Sequence, residues 1–309
     1  MALTVLKPGI QSTIQAAPRR GTRHLGVPAS GPADTLSMAL ANRLVGNASV
    51  TAALEVPFGM VALEADKVHA IALTGAHVSA EINGKPVPMH QTLFMRAGET
   101  LSIGGAEIGA RVYLAVAGGF AADEFLGSGS TCLPAGFGGL AGRSIRAGDV
   151  LEAMEYCHTQ DVLQTPHSMQ QIFTNAYALR CVPGPDEIRI SGWEYGQDFV
   201  ATRRADRTGI EVTGGWPRLE QAGLRPSAPV FTGAVQLTPS GSAFVLLPDA
   251  QTTGGYPHVL QVARVDRHLL GQIRPGDRVR FLRRTPDEAA DDLRSKIEFF
   301  REWVPDFSL

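Results

Sequence analysis

The chain has 309 residues, 44% of them hydrophobic and 19% charged, enough to build one large or two ordinary globular cores. A net charge of −2 offers no clustered positive field, so neither nucleic acid nor an anionic membrane is expected as a partner. Cys132, Cys157 and Cys181 are widely spaced without a CxxC pair, and no basic segment followed by an apolar run opens the sequence, so a cytoplasmic chain with reduced, structural thiols is expected.

Glycine (34) and proline (20) are plentiful, and apolar residues come in short runs. Taken in order, 61–63, 70–73, 100–103, 112–116, 188–190, 243–247 and 279–282 read as strands bounded by turn residues. Two helices interrupt them. The first runs from the capping Asp34 to Val45, with Leu36, Leu40 and Leu44 on one face and Gly46 as the stop. The second starts at Thr285, where Thr-Pro-Asp-Glu forms a capping box, and carries Leu293, Ile297, Phe300 and Val304 on one stripe. A weaker helix is expected from Trp193 to Thr202. The pattern predicts a mainly β chain of barrel or sandwich type.

Ile-Arg-x-Gly-Asp-x recurs at 145 and 273, with glycines 128 residues apart. Each copy is expected to turn the chain into the last strand of a barrel. The polar stretch 155–177 reads as a linker. These features predict a β-barrel domain over 1–155, a second over 178–284, and a C-terminal helix over 285–309, packed either on its own second barrel or on a partner protein.

The stretch 246–259, LLPDAQTTGGYPHV, carries the strongest sign of a binding loop. An apolar run stops at Pro248. Hydrogen-bonding side chains then crowd against Gly254 and Gly255, which let a ligand approach the backbone, and Pro257 pins the exit. Gln236 stands in the strand pair expected to deliver this loop. In Asp206-Arg207-Thr208-Gly209 the arginine is suited to a carboxylate or phosphate, or the four residues simply form a turn. Asp34 is a further polar candidate that a helix cap would explain.

Other motifs fail their own tests. GFGGLA at 136–141 runs into a turn and not a helix, against a dinucleotide site. GSGST at 127–131 lacks the lysine of a P-loop, and no GxSxG, no HExxH and no biotin-accepting lysine is present. No metal ligand set and no catalytic side chain can be named from the sequence.

Taken together, GVPASGPADTLSMALANRLVGN (26–47), YLAVAGG (113–119), GSGST (127–131), DRTG (206–209), GAVQ (233–236), QTTGGYP (251–257) and RPGD (274–277) resemble the allophanate hydrolase subunit 2 family, also called the biotin-dependent carboxyltransferase family. That family includes the C component of ATP-dependent 5-oxoprolinase and part of the carboxyltransferase region of urea amidolyase. The resemblance implies two tandem cyclophilin-like β-barrels and a partner of the subunit 1 type, the B component of such an enzyme, with a third, hydrolytic protein completing the complex. One departure stands out. Where relatives carry TxQDxGR, Thr13-Ile14-Gln15 is followed by Ala16, Ala17 and Pro18.

The expected function is therefore one component of an ATP-dependent 5-oxoprolinase-type complex acting on a small amide or lactam, with Gln236, Gln251, Thr252, Thr253, Gly254, Gly255, Tyr256, Pro257, His258, Arg207 and Asp34 binding substrate. ATP is the expected cosubstrate of the complex, and the missing P-loop leaves open which polypeptide holds it. No covalent biotin is expected here. Two alternatives stand beside this expectation: a component moving a carboxyl group from carboxybiotin to a urea-like amide, and a non-catalytic regulatory binding module.

Overall fold

The computed structural model describes residues 1–154, 161–187, 194–217 and 226–309. The chain divides into two compact units, and neither is one continuous stretch: unit 1 comprises Met1–Arg19, Ser30–Phe173 and Phe300–Ser308, and unit 2 comprises Arg20–Ala29, Thr174–Phe299 and Leu309.

Unit 1 holds β1 (Ala2–Pro8), β2 (Thr13–Gln15), α1 (Thr35–Leu44), β3 (Ala53–Pro57), β4 (Gly59–Ala65), β5 (His69–His77), β6 (Ala80–Ile82), β7 (Lys85–Pro86), β8 (Leu93–Met95), β9 (Thr100–Gly105), β10 (Ile108–Val116) and β11 (Val150–Glu152). They form a six-stranded sheet ordered β11-β1-β4-β9-β6-β7 and a five-stranded sheet ordered β2-β3-β10-β5-β8. A single apolar cluster joins them, with Leu3, Val5, Leu63 and Ile103 from one sheet and Leu54, Val56, Ile71, Leu73, Val112 and Leu114 from the other.

The second sheet is buried on both faces, and its sequence shows why. Large branched residues of β5 and β10 point into the sheet–sheet core. The alternate positions, Ala70, Ala72 and Ala115, are small and let α1 pack closely through Met38, Ala41 and Leu44. The helix begins as expected, with the Asp34 carboxylate accepting from Ser37 N at 2.9 Å, and Gly46 follows it at φ 76°.

Unit 2 holds β12 (Ala176–Pro183), β13 (Asp198–Ala205), β14 (Gly209–Gly214), β15 (Ala228–Pro229), β16 (Ala234–Leu237), β17 (Ala243–Leu246), β18 (Thr253–Gly254), β19 (His258–Val262), β20 (Arg278–Arg283) and α2 (Pro286–Arg301). Seven of these strands close a barrel in the order β12-β19-β16-β17-β14-β13-β20, and β15 and β18 form a separate ribbon. Along β20, Val279 and Phe281 point inward while Arg278 and Arg280 face out. Phe281 meets Phe199 and Trp216 inside, with ring centroids 5.6 and 5.7 Å away.

Several expectations change. No helix spans 193–202: Trp193 lies outside the described residues and Asp198–Ala205 is a strand. Its residues alternate, with Phe199 and Ala201 buried and Val200 exposed, so period two prevailed over the helix expected there. The strand expected at 188–190 lies outside the described residues. Of the expected linker, 161–173 belongs to unit 1, where Thr165, Met169 and Phe173 are buried. The repeated Ile-Arg-x-Gly-Asp segments do make the same turn: Asp149 accepts from Arg146 N at 2.7 Å and Asp277 from Arg274 N at 2.8 Å. Yet one leads into β20 of the closed barrel and the other into β11 at a sheet edge.

The capping box of α2 is formed, with Glu288 accepting from Thr285 N at 2.8 Å and Thr285 from Glu288 N at 3.2 Å. The helix is held in unit 2 by Asp292 paired to Arg180 and Arg284, both at 3.1 Å. Phe300, Val304 and Phe307 are instead buried in unit 1. The stripe is thus divided, and packing on the second barrel describes only part of it.

Lys296, on the same helix, donates to Val265 O at 3.1 Å and lies 3.1 Å from Nε2 of His268. Burial, reinforced by Lys296 and Arg180, holds the His268 imidazole well below its ordinary range. Its unfolded form therefore binds a proton at pH values where the folded form does not. Stability should fall as pH drops below about 6.5, the ordinary histidine value. Urea midpoints at pH 7.5 and 5.5 check this, and His268→Met should flatten the difference.

Candidate functional site

The loop joining β17 to β19 stands on a buried ion pair. Arg207, 2% exposed, and Asp249 meet in a two-pronged contact, Nε to Oδ2 at 2.8 Å and Nη2 to Oδ1 at 3.2 Å. The backbone repeats the link, with Asp249 N donating to Arg207 O at 3.0 Å. Asp206 supports the turn from outside by accepting from Thr208 N at 2.6 Å and Gly209 N at 3.1 Å. The arginine expected to meet a substrate anion is therefore engaged beneath the loop, where it fixes the chain leaving β17.

Gln236 lies opposite Phe244 on one neighbouring strand and His258 on the other, and is 2% exposed. Its Nε2 donates to Tyr256 O at 3.2 Å, and its Oε1 accepts from Gln251 Nε2 at 3.2 Å. Gly254 makes room for this amide: a Cβ there would stand 2.6 Å from Gln236 Nε2. Gln251, Thr253 and Tyr256 face solvent, Thr252, Gly254 and Gly255 are half-buried, and Pro257 and His258 are buried.

The structure thus brings together Gln236 and the whole run 251–258 at one end of the barrel. A buried amide, Gln236, holds an exposed one, Gln251. Gly254→Ala should leave the barrel folded, since only the end of a flexible side chain must move. It should displace the Gln236 amide, seen as a shift of the Gln236 and Gln251 side-chain amide resonances, with little change in melting temperature.

His258 is fixed by Asp186, which accepts from His258 N at 2.9 Å and donates its own N–H to His258 O at 3.0 Å. The approach needs Gly184, where a Cβ would lie 2.4 Å from His258 O. Burial lowers the imidazole pKa, so the ring is neutral near pH 7, and its Nε2 is buried without a hydrogen-bond partner among the described residues. Asp249 and Asp186 are both committed to holding the chain in place. A neutral His258 is the group in the loop that could exchange a proton.

The family model for the carboxyltransferase domain, subdomain A and B, matches residues 25–283. The chain belongs to that family. It is 31% identical to the C component of 5-oxoprolinase from Haemophilus influenzae over 98% of this chain and 97% of the relative. It is 29% identical to urea amidolyase of Saccharomyces cerevisiae over 91% of this chain, which amounts to 16% of that longer protein. The solved structure of the K. lactis urea amidolyase superposes with a TM-score of 0.89 at 25% identity, covering all of this chain and 20% of that one.

In this carboxyltransferase-family chain the remaining site candidate, Asp34, lies in unit 1 and is fully buried. Besides capping α1 it accepts from Ser37 Oγ at 2.6 Å, and its backbone N–H donates to Tyr113 Oη at 2.7 Å. Tyr113 in turn donates to Glu55 Oε2 at 2.7 Å, and Arg111 Nε donates to Glu55 Oε1 at 3.2 Å. Burial beside Glu55 and Asp34 pushes the Tyr113 phenol well up.

The GSGST stretch is likewise internal. Ser130 Oγ donates to Ala16 O at 2.8 Å and Thr131 Oγ1 to Ile14 O at 2.8 Å, while Ala16 N donates to Ser130 Oγ at 2.9 Å. Hydroxyls engaged in this way do not fit a phosphate cradle, and no step through ATP is assigned to this loop.

Sequence reasoning missed Arg23. The segment 20–29 belongs to unit 2, where Arg23 donates to the carbonyls of Val230 and Gln251 and lies 5.3 Å over the Phe231 ring. Nothing in the spacing signals a contact spanning so much sequence. Glu55 and Tyr113 were missed for a different reason: Tyr113 sits in the expected apolar strand 112–116, Glu55 in β3, which was not expected as a strand, and only the register that sets them side by side reveals the pairing.

Proposed function

We propose that this chain is the C component of a 5-oxoprolinase-type complex that opens a small lactam at the expense of ATP, working with a B component of the subunit 1 type and a third, hydrolytic protein. The observation that carries this reading is the likeness to the corresponding 5-oxoprolinase component over 98% of this chain and 97% of the relative. The loop geometry agrees with it. The exposed Gln251 amide, held by Gln236, offers hydrogen bonds suited to a ring amide, with backbone and hydroxyl groups of 252–255 beside it. ATP supplies phosphoryl activation to the complex, and this chain's residues bind and orient the amide.

The test is reconstitution. The chain mixed with its two partner proteins should convert 5-oxoproline to glutamate in the presence of ATP, and omission of any one protein should abolish turnover. Gln251→Ala should raise KM about tenfold through the lost amide contact. No conversion by the complete mixture would remove 5-oxoproline as the substrate. Full activity retained by both Gln251→Ala and Tyr256→Phe would instead favour a regulatory module.

A second reading, carboxyl transfer from carboxybiotin to a urea-like amide, is favoured by the superposition on urea amidolyase at a TM-score of 0.89. Carboxylated biotin carrier decaying faster with urea only when this chain is present would support it.

A further inference from the structure

On the reading proposed above, the loop of unit 2 receives 5-oxoproline, whose carboxylate sits on the ring carbon next to the lactam N–H and is ionised near pH 7. Such a charge needs a cation beside the amide-binding group. Arg207 does not supply it, since its guanidinium is 2% exposed and paired with Asp249 beneath the loop. The buried His258 imidazole is neutral at that pH.

Arg23 meets the requirement. It sits in a single turn, Arg23–Leu25, belongs to the same unit as the loop and is half-buried. Its Nη2 donates to the carbonyls of both Val230 and Gln251, two residues already linked through the neighbouring bond from Val230 N to Thr252 O at 3.0 Å. The ring of Phe231 supports one face of the guanidinium at 5.3 Å. A planar fork fastened at one nitrogen and along one face is pre-organised for a ligand. Nη1 donates to no atom of the described residues and is not enclosed by them, so it is left to donate outward.

No aspartate or glutamate among the described residues pairs with this guanidinium. Where a carboxylate is present, as Asp149 is for Arg143, Asp266 for Arg180 and Asp198 for Arg280, it raises the arginine pKa. For Arg23 burial lowers it. A partly desolvated cation without a counter-charge is unfavourable, and an arriving anion relieves it.

We propose that Arg23 selects an anionic lactam, its Nη1 donating to the substrate carboxylate while the Gln251 amide meets the lactam group. The two protein groups are neighbours because Arg23 is bonded to the backbone carbonyl of Gln251 itself. The carboxylate and N–H of the ligand are neighbours in the same way.

The reconstituted complex tests this with 5-oxoproline as substrate and its neutral carboxamide as competing inhibitor. The parent should favour 5-oxoproline over the carboxamide by at least about tenfold, as expected for one hydrogen bond to a charged group. Arg23→Gln should raise KM for 5-oxoproline by at least about tenfold while kcat and the carboxamide inhibition constant stay unchanged. A parent complex inert towards 5-oxoproline removes the lactam reading and this assignment with it. Turnover by the parent with KM unaffected by Arg23→Gln, or equal affinity of the parent for the two molecules, overturns the assignment alone. A parallel loss of affinity for both molecules in Arg23→Gln overturns it too, because the arginine then merely braces the loop. The comparison within the parent decides the matter should the variant not fold.

Discussion

Arg207→Ala is expected to destabilise unit 2 by about 3–5 kcal/mol, because it strands the Asp249 carboxylate in a site with no water to solvate it. Asp249 is 2% exposed and receives two hydrogen bonds from the guanidinium. Without Arg207 that buried charge must either stay unpaired or take up a proton. Urea denaturation reads the loss directly. Replacing both partners by apolar residues, Arg207→Met with Asp249→Leu, should recover most of the stability, since buried ion pairs contribute little beyond a well-packed apolar substitute. The double variant should still loosen the loop, read as faster amide exchange over 249–256, because the turn leaving β17 then lacks its side-chain clamp and keeps its backbone bonds. If the single variant proves as stable as the parent, the pair is not the foundation of the loop.

Truncation after Phe299 should have a larger effect. It removes Phe300, Val304 and Phe307, each no more than 6% exposed, and the 5.5 Å ring contact between the two phenylalanines. At about 1.5–3 kcal/mol for each large side chain withdrawn from water, the loss is about 5–9 kcal/mol. That is comparable to the whole stability of an ordinary domain. It also removes Trp303, whose carbonyl accepts from Arg43 Nε at 2.7 Å and whose ring lies 5.0 Å beneath the same guanidinium. Circular dichroism and size-exclusion chromatography of the truncated chain should show unit 1 unfolded or aggregated. A folded product that merely fails to join its partners would place these residues at an interface with another protein instead.

Much of the fold was legible because its signals are local. Asp34 and Thr285 start helices by hydrogen bonds to residues three positions away, and the apolar runs at 61–63, 70–73 and 112–116 all fall in strands. The loop at 251–258 stood out for a similar reason, since Gly254 and Gly255 interrupt a run of polar side chains over a few residues. What escaped depends on contacts remote in sequence. A guanidinium at 207 can hold a substrate anion or a buried aspartate, and only the fold brings Asp249 to it. The helix expected at 193–202 failed because a single amphipathic window does not reveal that neighbouring strands have unfilled hydrogen-bonding edges. β13 is paired to β14 on one side and β20 on the other, a pairing that propensity alone cannot foresee.

The interleaving of the two units imposes an order on biogenesis. Residues 300–308 complete unit 1, yet ribosomes deliver them after every strand of unit 2 has emerged. Unit 1 must therefore wait, with the helix–sheet core against which Trp303 packs lacking that covering, throughout synthesis of the barrel. A nascent chain arrested anywhere in that interval exposes apolar surface to chaperones and proteases. Products terminated before residue 300 should therefore be cleared rather than accumulate.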